Sequence, residues 1–103
     1  MENYKIRIPL KMTQITYKDG NVLPLTFDWE ENGETTTVTI DEVINIKPFS
    51  DIRSGTVGDR YKCKIDGKQE YLFYSKLAPR KWFIIKEVSE EEYTLYYKLP
   101  GET

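Results

Sequence analysis

The sequence predicts an all-β protein: a small, strongly bent antiparallel barrel or roll of about seven strands, SH3-like or OB-like in size, with little or no helix. Three observations carry that expectation. Apolar residues recur at every second position through most of the 103 residues, the period at which strand side chains alternate between faces. Asp19-Gly20, Asn32-Gly33 and Asp66-Gly67 punctuate the alternation, and such dipeptides tolerate the positive φ of tight hairpins. Aromatics form 14% of the chain, and large flat rings suit a pleated, half-buried surface.

The first run places Tyr4, Ile6, Ile8, Leu10 and Met12 on one face, opposite Lys5, Arg7 and Lys11. Its phase then slips to Ile15 and Tyr17, which predicts a β-bulge in this strand. After Asp19-Gly20, the residues Leu23, Leu25, Phe27 and Trp29 share a face, and Asn32-Gly33 closes a second hairpin. "TTTVTIDEVINIKPF" then keeps Val38, Ile40, Ile44 and Ile46 in one phase and reads as one long bent strand. Pro48 ends it or confines it to an edge, because proline cannot donate to a ladder. Bent first and third strands favour a barrel, since closing a small sheet demands curvature.

Ser50 to Gly58 has little periodicity and reads as a loop. In "DRYKCKIDGK" the apolar Tyr61, Cys63 and Ile65 alternate with Arg60, Lys62 and Lys64. The following "QEYLFYS" and "KWFIIKEV" are apolar on both faces, as strands covered on both sides are. A three-residue loop with Gly67 in the left-handed region would set Tyr61 opposite Tyr71 inside and Lys62 opposite Glu70 outside. In "EYTLYYKL", period two sorts Tyr93, Leu95, Tyr97 and Leu99 onto one face and predicts a strand, although Ser89 followed by Glu92 also fits a helix capping box.

A chain of this length predicts a single domain, residues 1–103, able to bury a core without a disulfide or metal staple. There is no histidine and only one cysteine, so neither a structural zinc site nor a Cys-His or Ser-His-Asp nucleophile can be assembled. No catalytic motif and no cofactor motif is present, and the expectation is a protein that is not an enzyme and needs no cofactor. The charged N-terminus offers no apolar run for a leader, and no window reaches the length of a membrane span. A cytoplasmic protein without a membrane partner is the expected class. Cys63 lies on the inward phase of its strand and reads as a small core hydrophobe rather than a reactive thiol.

The segments "PLTFDW" (Pro24 to Trp29), "GTVGDRYKCKIDGKQEYLFY" (Gly55 to Tyr74) and "KWF" (Lys81 to Phe83) resemble, in order and spacing, a family of small uncharacterised bacterial proteins. Val57 stands where that family often has a further glycine. The resemblance covers most of Leu23 to Glu87, leaves the acidic segment 88–103 outside the shared core, and implies no catalytic residues.

Charge is distributed unevenly. Residues 1–46 hold four cations against eight acids, residues 47–86 ten against four, and residues 87–103 one against five. The basic middle is also rich in aromatics, and cations interleaved with rings can track phosphates and stack on bases. An overall pI near 5.2 instead favours a module that recognises a protein or peptide, or that self-associates. In the second case the acidic run Glu90, Glu91, Glu92 could lie over the basic face. Single-stranded nucleic acid is the alternative partner. The candidate binding surface on either reading is Arg53, Arg60, Lys62, Lys64, Tyr74, Arg80 and Trp82. Arg53 and Ser54 could in addition help form an anion cradle in the Ser50–Gly58 loop.

Overall fold

The computed structural model describes residues 4–51, 56–77 and 80–96. Seven strands and one short helix follow in order: β1 (Tyr4–Thr16), β2 (Val22–Glu31), β3 (Glu34–Thr39), β4 (Glu42–Asp51), β5 (Thr56–Ile65), β6 (Lys68–Ser75), β7 (Lys81–Val88) and α1 (Glu90–Tyr96). All neighbouring strands are antiparallel, in the order β3-β2-β1-β7-β6-β5-β4, and the sheet curls into a half-barrel. Among the described residues no helix is long and apolar enough to cross a membrane.

Two hairpins turn through two-residue loops, with positive φ at Asn32 and Gly33 and at Asp66 and Gly67. Positive φ at both central residues is the geometry whose twist matches paired strands. It also overturns the three-residue loop expected after β5. Ile65 pairs with Lys68, Cys63 with Glu70, Lys62 with Tyr71 and Tyr61 with Leu72. The tighter loop moves β6 by one residue, and a one-residue move exchanges the faces of every side chain. Leu72 and Tyr74 therefore go inside, while Tyr71 and Phe73 pass to the second face.

Two bulges sit where the chain changes partner. The β1–β2 ladder passes from Thr13↔Thr26 to Gln14↔Pro24, so the extra residue is Leu25 of β2, not a residue of β1. Beyond it Val22 and Pro24 are buried in place of Leu23 and Leu25. The freed Leu25 carbonyl accepts the N–H of Ile40 at 2.9 Å. One residue later, Asp41 N–H donates to the Lys64 carbonyl, also at 2.9 Å. The chain thus leaves β2 for β5 within two residues, and the two outer edges of the sheet meet at this corner. The expected single bent strand is two strands, β3 and β4, on opposite edges. A second bulge at Ile44 separates Val43↔Cys63 from Asn45↔Lys62, so Val43 faces inward and Ile44 is 38% exposed.

The inner face holds the main core: Leu10, Val22, Phe27, Tyr61, Cys63, Leu72, Tyr74 and Trp82. Two of its polar side chains are anchored by hydrogen bonds. Tyr61 OH donates to the Val22 carbonyl at 3.0 Å, and Trp82 Nε1 donates to Gln14 Oε1 at 2.6 Å.

A smaller core forms on the other face, where the far end of the β4–β5 hairpin folds over. Arg7 of β1 donates to Asp51 Oδ2 at 2.6 Å and to Thr56 Oγ1 at 2.5 Å. Thr56 lies on β5, three strands from β1, which a flat sheet would hold about 14 Å apart. Phe49 stands opposite Gly58, and its ring lies 4.8 Å from that of Phe73. Phe73 stacks in turn on Phe83 at 5.4 Å. The expected Ser50–Gly58 loop is therefore mostly strand, and Arg53 and Ser54, with the proposed anion cradle, lie outside the described residues.

The segment after β7 is a helix at Glu90–Tyr96, not the expected strand. Ser89 Oγ accepts the Glu92 N–H at 3.2 Å, and its carbonyl accepts the Tyr93 N–H. These contacts cap the first turn. Burial does not require period two here, since Leu95 is 67% exposed while Tyr93 packs 4.9 Å from the Tyr4 ring.

Candidate functional site

Register assigns the charged row of β5 to the outer face. Arg60 pairs laterally with Phe73 and with Lys47, and Lys62 with Tyr71 and Asn45. Arg60, Lys62 and Lys64 thus form one row, as the alternation predicts. Lys64 is exposed and the other two are half-buried. The Arg60 guanidinium lies 4.6 Å from the centre of the Tyr71 ring, which is 45% exposed. Such cation–π contacts contribute about 0.5–1 kcal/mol at exposed positions. Arg60 Nε is shielded from solvent without a hydrogen-bond partner among the described residues.

The other predicted residues separate from this row. Arg80 is exposed just before β7. Tyr74 and Trp82 are 7% and 4% exposed and pack against each other at 4.7 Å within the main core. Their place on the surface is taken by Tyr71, which the sequence presents only as one member of a doubly apolar run. The acidic residues Glu90, Glu91 and Glu92 are exposed in the first turn of α1 and make no ion pair with the basic row among the described residues.

Beside Tyr71 the sheet divides. Strands β5 and β6 pair along eight positions, from Gly58↔Ser75 to Ile65↔Lys68. Strands β6 and β7 pair at only three: Phe73↔Phe83, Tyr74↔Trp82 and Ser75↔Lys81. Beyond the stacked Phe73–Phe83 pair, β6 stays with β5 and β7 stays with β1. The resulting fork opens into a groove of about 510 Å³ lined by residues including Phe49, Arg60, Tyr71, Phe73, Ile85 and Glu87. That volume falls within the range of about 300–1,000 Å³ usual for ligand sites.

Cys63 is fully buried. Burial pushes its thiol up from 9.0 to about 11, so it stays protonated and unreactive near neutral pH. Burial also raises the Tyr61 hydroxyl to about 12, with the Asp59 carboxylate adding to the effect. Both groups belong to the core rather than to a site of chemistry. Among the described residues no three acidic or cysteine side chains cluster to hold a metal ion. No family model, no curated protein and no solved structure matches the chain.

Proposed function

We propose that the protein is a non-enzymatic binding or assembly module of the cytoplasm that recognises a protein or peptide partner through the outer face of its half-barrel. One observation carries this reading: the basic row and the exposed Tyr71 ring flank a groove floored by aromatic and aliphatic side chains. An apolar floor with a few converging polar groups is the usual constitution of a recognition site. The competing reading is single-stranded nucleic acid. A stacking platform needs several accessible rings beside its cations, and Tyr74 and Trp82, two of those it would have used, are committed to the core.

A chemical-shift titration of the ¹⁵N-labelled full chain separates the two. A random pool of decapeptides built from Glu, Asp, Val and Phe is expected to shift the amides of Arg60, Lys62, Tyr71 and Ile85. An eight-nucleotide oligo-dT is expected to leave them unmoved at about 200 mM salt. Shifts from the oligonucleotide that persist at that salt, with none from the pool, would replace the protein-binding reading with the nucleic-acid one.

A further inference from the structure

The fork exposes backbone as well as side chains, and register determines which groups face it. A two-residue loop makes Ile65 and Lys68 a hydrogen-bonded pair, and such pairs alternate along an antiparallel ladder. The Lys76 N–H bonded to the Val57 carbonyl at 2.9 Å confirms the phase at the far end. Even-numbered residues of β6 therefore bond to β5, and odd-numbered residues turn their N–H and C=O toward β7. Phe73 and Ser75 meet β7 there. Gln69 and Tyr71 lie past the last pair and face the fork. On the opposite wall, Phe83 and Lys81 use up the bonds toward β6, and Ile85 and Glu87 face the fork in the same way. The side chains of these four fork-facing residues lie on the outer face, beside Arg60 and Lys62.

We infer that this fork is a docking slot for an extended, acidic segment of a partner protein, which adds a strand to the free edge of β6, β7 or both. The inference rests on the protein-recognition reading above and names its partner chemistry. Two free edges supply the alternating donors and acceptors that an extended peptide complements. Charge supplies the sign: Lys5, Arg60 and Lys86 outnumber Glu70 and Glu87 around the groove, and Lys62 stands beside Tyr71. Arg60 has no ion-pair partner among the described residues, so its guanidinium can take a carboxylate of the incoming strand. Tyr71 and Ile85 offer apolar surface for the alternate, outward side chains of that strand.

Fluorescence anisotropy of the full chain with labelled Glu-Val-Glu-Phe-Glu-Val-Glu, at about 50 mM salt, tests this. The same peptide carrying N-methyl groups at alternate residues, prepared in both phases, keeps every side chain but removes half of the backbone donors. The parent peptide is expected to bind, at least one methylated phase to bind tenfold or more weakly, and Arg60→Glu to weaken the parent by a similar factor. Equal binding of the parent and both methylated peptides would overturn the slot and leave recognition by side chains standing. No peptide binding together with binding of oligo-dT would overturn both.

Discussion

The half-barrel contains two forks, and they are not alike. At the first, β1 pairs with β2 only from Lys11 onward, while Tyr4–Leu10 pair with β7. The outer end of β2 pairs with β3 alone, leaving a cleft of about 450 Å³ bounded by Pro9, Lys11, Asp28 and Glu30 among others. Of the β1 residues that turn toward this fork, Lys5, Arg7 and Pro9, the one next to the last β1–β2 pair is Pro9, which has no N–H to offer, a usual way of blunting a free edge. The second fork, between β6 and β7, has no proline on either wall and carries a cationic surplus. The same sheet therefore blunts one of its gaps at the apex with a proline and leaves the other without that block. Curvature alone opens forks; the residues placed at them decide whether a partner can use them.

The zipped side of β6 is the most sensitive point of the sheet. A Cβ added at Gly58 would fall 1.9 Å from the Tyr74 carbonyl oxygen, and backbone cannot yield cheaply. Gly58→Ala is expected to cost about 3 kcal/mol or more, lowering the melting temperature by roughly 12 °C or more. A melt within about 2 °C of the parent would show that β5 and β6 are less tightly apposed than described. Next in size is alkaline unfolding. The unfolded chain releases its Cys63 proton near 9 and its Tyr61 proton near 10, while the folded chain holds them to about 11 and about 12. Stability is therefore fully present below pH 9 and falls as pH rises through this window, by on the order of 2 kcal/mol per group. Denaturant titrations from pH 8 to 11 check it, and an unchanged midpoint would contradict the burial of both groups.

Tyr61→Phe is smaller, about 1–2 kcal/mol, because the Val22 carbonyl loses its buried donor; equilibrium unfolding in urea measures this. Least of all, Arg60→Ala should change stability by only about 0.5–1 kcal/mol, since its contact is with a half-exposed ring. A large loss would mean that Arg60 serves the fold rather than the groove.

Much of this arrangement was legible in the residues, and the illegible part has a physical cause. Asn32-Gly33 and Asp66-Gly67 marked their hairpins, and the alternation in β5 correctly separated Tyr61 and Cys63 from Arg60, Lys62 and Lys64. In β6, however, Tyr71, Leu72, Phe73 and Tyr74 are all apolar, so periodicity cannot tell which pair is inside. Loop length decides it, and with it whether Tyr71 or Tyr74 reaches the surface. The switch of edges at Ile40-Asp41 is similarly silent, because β-branched alternation continues on both sides of the corner. In α1 the cap at Ser89 prevailed over period two, and Leu95, which a strand would have placed on the same face as Tyr93, is left exposed. The fork itself depends on where pairing between β6 and β7 stops, a tertiary fact with no local signature.

Amide hydrogen exchange tests that stop most directly. The fork account predicts alternating protection: Glu70 and Leu72, bonded to β5, and Ile84 and Lys86, bonded to β1, exchange slowly. Gln69, Tyr71, Ile85 and Glu87 exchange quickly, with opening free energies far below that of global unfolding. Uniformly slow exchange through Lys68–Leu72 and Ile84–Val88 would mean that the two strands pair along their length, and the slot would not exist.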